Sequence, residues 1–136
     1  MKNLSLRQLP DRYVMVQLDA RDPLPSWSTG AVSFSSITRT QSELSLIVPR
    51  HVVPADTGFD GEWDCLGIDQ QFSLDIPGIA ASVASPLAAA GLSVFVVATV
   101  DTDYFLVRDA AAAGAALRAA GHNVTLLADG LIQSAR

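Results

Sequence analysis

The side chains of this 136-residue chain that could do chemistry lie mostly in its second half. Asp101-Thr102-Asp103 sets two carboxylates around a hydroxyl, and Thr99 adds another hydroxyl just before them. Carboxylates so placed could hold an ammonium group, and oriented hydroxyls could select what it belongs to. The same residues suit a solvated hairpin turn. A metal would need a third ligand, and no His or further acid lies close by. Upstream, Pro77-Gly78 precedes Ile79, where a helical pattern begins. A helix start offers free N–H groups to a carboxylate, and Gly78 would let a ligand approach the backbone. It is equally an ordinary turn into a helix. Cys65 is the lone cysteine, expected as a buried small hydrophobe rather than a nucleophile. His51 and His122 lie at element ends, where surface or capping roles are expected. No motif for dinucleotide or phosphate binding, zinc hydrolysis or a serine nucleophile is present.

Composition narrows the class. Apolar residues make up 49% and charged residues 17%, enough for a core and too few charges for a disordered chain. The length suits one compact domain, or two very small ones. The net charge is −5 and no basic run occurs, so nucleic-acid backbone binding is not expected. A lone cysteine excludes a disulfide framework and any CxxC metal site, and points to the reducing cytoplasm. Val94–Val100 is the longest apolar stretch, far short of the roughly 20 residues that span a bilayer. No membrane partner and no signal peptide are therefore expected.

The elements that must position these residues follow from pattern. Arg12–Leu18, Val32–Thr40 and Leu44–Val48 read as strands, the last two as a hairpin across Gln41-Ser42-Glu43. Pro49–Gly61 is the natural boundary. Trp63–Ile68 opens the second half as a strand, and Gln70–Asp75 continues it after a bend. Ile79, Val83, Leu87 and Ala90 share a helical face, Gly91 ends that helix, and Pro86 within it predicts a kink. Ser93–Val100 reads as a strand buried on both faces, followed by the strand Tyr104–Val107. Asp109 caps a helix over Ala110–Ala120, which Gly121 ends. Asn123–Leu127 is a last strand, and the tail from Ala128 looks loose. Trp27 and Trp63 are expected as core or interface fillers.

The second half thus has the order βαββαβ, which predicts an α+β, ferredoxin-like fold with two helices on one face of an antiparallel sheet. The first half repeats part of it. Aligning Gly30 with Gly91 sets Phe34 on Phe95 and Thr38 on Thr99. With two residues skipped after Ser42, Leu46-Ile47-Val48 falls on Phe105-Leu106-Val107. Two tandem units are expected, 1–60 abbreviated and 61–136 complete.

Three segments carry a family resemblance: Ser33–Thr40 followed by Glu43–Leu46, Phe72–Ile79 leading into Pro86–Phe95, and Ala98–Val107 with its run TVDTDYFLV. Together they resemble the small bacterial tandem ACT-domain proteins, whose eukaryotic relatives are the CASTOR arginine sensors. The resemblance implies a non-enzymatic regulatory module that needs no cofactor and binds a free amino acid at an interface between ACT units. It places ligand contacts at Pro77, Gly78 and Ile79 before the first helix. It places others at the strand end, at Thr99, Val100, Thr102 and Asp103. Asp101 joins this set on physical grounds, as a carboxylate facing the helix start across which a zwitterion could bridge. The sensors carry aromatics where this chain has Val100 and Thr102, so the amino acid is not named. A homodimer is expected, because the abbreviated unit lacks helices to cover its sheet. The alternatives are a ligand-free interaction protein that keeps the ACT architecture, and a small enzyme using Cys65 or a carboxylate pair.

Overall fold

The computed structural model describes residues 3–70 and 76–129. The expected strand continuation over Gln70–Asp75 and the tail from Ala128 fall almost entirely outside the described residues. The chain divides into two compact units, Pro10–Trp63 and, discontinuous in sequence, Met1–Leu9 with Asp64–Arg136.

The larger unit holds a five-stranded sheet. Its strands are β1 (Ser5–Gln8), β5 (Asp64–Ile68), β6 (Val94–Ala98), β7 (Asp103–Val107) and β8 (Asn123–Thr125), in the order β6-β7-β5-β1-β8. Helices α1 (Ile79–Ala89) and α2 (Ala110–Ala119) complete it. Period-two alternation turns Leu66, Ile68, Phe105 and Val107 to one face. Both helices pack there: Ile79, Val83 and Leu87 from α1, Ala110, Ala113 and Leu117 from α2. The fold is the α+β, ferredoxin-like one, with a strand added. β1 inserts between β5 and β8, antiparallel to the first and parallel to the second. No sequence pattern marks it, because it is four residues long and only Leu6 within it is buried. Residues 3–9 thus group with the second half of the chain, whereas the sequence reading grouped them with the first.

Three further details differ from expectation. Among the described residues β6 is an edge strand, and it is not buried on both faces: Phe95 is 49% and Val96 43% exposed. An apolar run announces a strand but not how many neighbours it has. Ala90 is the C-cap of α1 and exposed, while Ser82 is buried instead. His122 is buried, at 4% exposure, rather than on the surface. As expected, Asp109 caps α2, accepting from the N–H groups of Ala111 (2.9 Å) and Ala112 (3.3 Å). Pro86 lies inside α1.

The smaller unit is a three-stranded antiparallel sheet in the order β2-β4-β3, from β2 (Tyr13–Leu18), β3 (Ser36–Arg39) and β4 (Leu44–Pro49). Its core is Val14, Val16, Leu44, Leu46, Val48 and Val53. Its only helical segments among the described residues are two short 3-10 turns, Ser26–Ser28 and Arg50–Val52. It is the abbreviated unit.

Candidate functional site

Two loops meet the same end of the five-stranded sheet, because α1 follows β5 and the β6–β7 turn sits beside the end of β5. The first is the start of α1. Gly78, its N-cap, has φ +84° and ψ 2°, a left-handed conformation that glycine takes without strain. As a glycine, this N-cap residue has no side chain of its own to cap the helix. Both the N–H and the hydroxyl of Ser82 donate to the Gly78 carbonyl, at 2.9 and 2.7 Å. The first-turn N–H groups of Ile79, Ala80 and Ala81 have no acceptor within the helix. Pro77 and Gly78 are exposed, whereas the Ile79 side chain belongs to the core.

The second loop is Thr99–Thr102. The Thr99 N–H donates to the Thr102 carbonyl at 2.8 Å, and the Thr99 hydroxyl donates to that same oxygen at 3.0 Å. The Thr102 N–H donates back to Thr99 Oγ1 at 3.2 Å. The Thr102 hydroxyl donates to the Ile68 carbonyl at 3.4 Å. The hydroxyl protons expected to serve a ligand are therefore engaged with backbone; what remains are oxygen lone pairs. Val100 is 76% exposed and Asp101 is exposed. Asp103 pairs with Ala98 in the sheet. Partial burial raises its carboxyl above the usual range.

Beside this turn lies an open recess of about 290 Å³, lined by Ile68, Asp69, Gln70, Asp101, Thr102 and Tyr104. Asp101 and Thr102 line it as members of the expected set. Pro77, Gly78, Ile79, Thr99, Val100 and Asp103 lie outside its lining. Sequence reasoning missed Asp69, Gln70 and Tyr104. The signal for Tyr104 was its place in the TVDTDYFLV run; that for Asp69 and Gln70 was their position just past β5, beside the β6–β7 turn. Tyr104 is seated by Gly67, across the β5–β7 pair: a Cβ at Gly67 would come within 3.1 Å of the ring. Arg7 Nε approaches Asp69 Oδ1 at 3.4 Å, and the Gln70 side-chain oxygen accepts the Ser5 N–H at 3.1 Å. Two carboxylates, an amide and a phenol ring line a recess suited to an ammonium or guanidinium group.

Elsewhere the reactive groups are committed. Burial pushes the Cys65 thiol up to about 12, so it stays protonated and unreactive near neutrality. His51 Nε2 sits 3.5 Å from Asp11 on the surface. Among the described residues no group of three His, Cys, Asp or Glu side chains could hold a metal ion, and no helix is long and apolar enough to cross a membrane.

A family model for the ACT domain matches residues 59–119, and a model for an N-terminal domain matches residues 11–56. Among solved structures, the chain is similar to protein Atu0741 from Agobacterium tumefaciens. The two share 37% identity over 93% of this chain and 95% of that one, with a TM-score of 0.85. Protein VC0802 from Vibrio cholerae shares the fold at 20% identity and TM-score 0.68, over 88% of both chains. So does the regulatory subunit of aspartate kinase from Thermus flavus, at 14% identity and TM-score 0.56, over 88% of this chain and 97% of that one. No curated protein matches.

Proposed function

This chain is an ACT-domain protein of the family that includes Atu0741, a regulatory ligand-binding module, and from that premise we propose that its ligand is a free amino acid. The observation that carries the reading is the pairing of opposite chemistries at one sheet end. A helix start whose N-cap residue, Gly78, has no capping side chain of its own suits an α-carboxylate. Asp69 and Asp101 at the recess, with Asp103 beside it, suit an α-ammonium or a cationic side chain. The proposed site comprises Pro77, Gly78, Ile79, Thr99, Val100, Asp101, Thr102 and Asp103. We extend it to Asp69, Gln70 and Tyr104. The module works in the cytoplasm as a homodimer, a state supported by the exposed Phe95 and Val96 of β6, at the end of the described sheet, a strand that carries no charge to repel a second copy.

A thermal-shift panel of the twenty amino acids at millimolar concentration tests the ligand. A binder at 100 times its Kd stabilises by about 2.7 kcal/mol, a rise of several degrees in a chain of this size. Asp101→Asn and Asp103→Ala should abolish the shift while leaving the fold intact. Unchanged affinity in both would remove the site assignment. A flat panel would favour the second reading, a ligand-free interaction module. One observation favours that reading: both hydroxyls donate to backbone, that of Thr99 to the Thr102 carbonyl within the turn and that of Thr102 to the Ile68 carbonyl of β5.

A further inference from the structure

Pro86 sits in the interior of α1. In an α-helix each N–H donates to the carbonyl four residues back, so the carbonyl that Pro86 leaves without a donor is that of Ser82. The proline ring also crowds this carbonyl. Ser82 is only 4% exposed, so water does not make good the loss. The missing donor comes from the loop between α2 and β8: His122 Nε2 lies 2.8 Å from the Ser82 carbonyl oxygen. The other ring nitrogen, Nδ1, accepts the Leu4 N–H at 3.0 Å, just before β1. A nitrogen that accepts from a backbone N–H carries no proton. The ring is therefore the Nε2–H tautomer, and both its nitrogens are used. Ser82 in turn holds Gly78 through its own N–H and hydroxyl. A continuous run of hydrogen bonds thus joins the Leu4 backbone, His122, Ser82 and the left-handed turn that starts α1.

We infer that His122 is a positioning residue whose ring replaces the amide Pro86 lacks and ties the Gly78 end of α1 to β1. Proline leaves the helix open at one point, and histidine closes it from outside. The first turn of α1 is thereby held by a side chain rather than by its own backbone alone. Its link to the ligand site rests on the function proposed above; the clasp itself does not.

The test is a double-mutant cycle in the ligand-free protein. His122→Phe keeps an aromatic ring at the position and removes both bonds. In the wild-type background it should lower the folded-to-unfolded ratio in urea by about tenfold or more, since a buried carbonyl loses its donor. Pro86→Ala restores an N–H opposite the Ser82 carbonyl. In that background the same substitution should cost several-fold less, the remainder reflecting the Leu4 amide. Equal costs in the two backgrounds would overturn the inference. Amide exchange gives a readout that mere destabilisation would not: with His122→Phe, the Ser82 amide should exchange faster while amides near Ala88 and Ala89 hold. Uniform acceleration along α1 would count against the clasp. If His122→Phe does not fold, ring nitrogen chemical shifts in the wild type and Pro86→Ala decide. The wild type must show the Nε2–H tautomer, with a weaker Nε2–H bond in Pro86→Ala; any other tautomer, or no change, refutes it. Because no amino acid is needed, a flat ligand panel leaves this result standing, and an additive cycle leaves the ligand proposal standing.

Discussion

In the hairpin β3–β4, Thr40 opens the turn: its N–H donates to the Glu43 carbonyl at 2.9 Å, and its hydroxyl oxygen accepts the Glu43 N–H at 3.1 Å. In β6–β7, Thr99 makes the same two bonds with Thr102, at 2.8 and 3.2 Å. The two turns are equivalent with Thr40 on Thr99, so the sequence alignment that set Thr38 on Thr99 was two residues out before the turn. It was right after it, where Leu46 matches Phe105. Beyond the turns the hairpins diverge. β3 is Ser-Ile-Thr-Arg, an edge with a cation on it, and Arg39 reaches the Ala20 carbonyl. β6 is Val-Phe-Val-Val-Ala, an edge with no charge. The position of the buried Leu44 in one hairpin is Asp103 in the other. A shared turn chemistry therefore carries two different tasks: one hairpin protects its edge, and the other offers both an edge and a carboxylate.

The comparison can be sharpened at its core first. Phe105→Ala should cost about 3–5 kcal/mol and the equivalent Leu46→Ala about 2–5, read from urea denaturation by circular dichroism. A cost near zero at either would mean that hairpin is not part of its unit's core. The edges come next. Val96→Lys should turn a dimer into a monomer in light scattering, while Ile37→Lys on β3 leaves the mass unchanged; the reverse would move the interface to β3. Removing the turn hydroxyls separately, with Thr40→Val and Thr99→Val, should cost about 1 kcal/mol each. A stability loss confined to Thr40→Val would show that Thr99 is kept for something other than the turn.

The smallest effect is electrostatic. Burial raises Asp103 above the unfolded carboxylate value of 3.8, so the folded state binds this proton more tightly. Stability from this group is then full in acid and declines as pH rises from the unfolded value through the folded one. Asp103→Asn should raise the urea midpoint slightly at pH 7 and leave it unchanged near pH 3. A lower midpoint at pH 7 would mean that the carboxylate is held by a favourable partner rather than penalised by burial.

Much of this architecture was legible in the chain. The helical spacing of Ile79, Val83 and Leu87, the Asp109 cap and the stops at Gly91 and Gly121 all act within one or two turns, and each appears where local pattern puts it. The βαββαβ order followed from them. The recess was half legible: Asp101 and Thr102 stood out by type, but Asp69, Gln70 and Tyr104 join them only through strand pairing.

What the sequence determined by itself is thus the local structure: the periodicities, the caps, the turns and the class of fold, since these depend on neighbours a few residues away. What only the tertiary structure decided is long-range. Ser5–Gln8 is a strand because β5 and β8 flank it, not by its own propensity. The apolar run at β6 is part-exposed because, among the described residues, β6 stands at the end of the sheet order. Pro86 within α1 looks like a fault until His122, from the far side of α2, supplies the hydrogen bond that the proline lacks. A missing backbone donor is visible in the sequence; its replacement depends on which loop the fold brings within 3 Å, and local pattern carries no record of that.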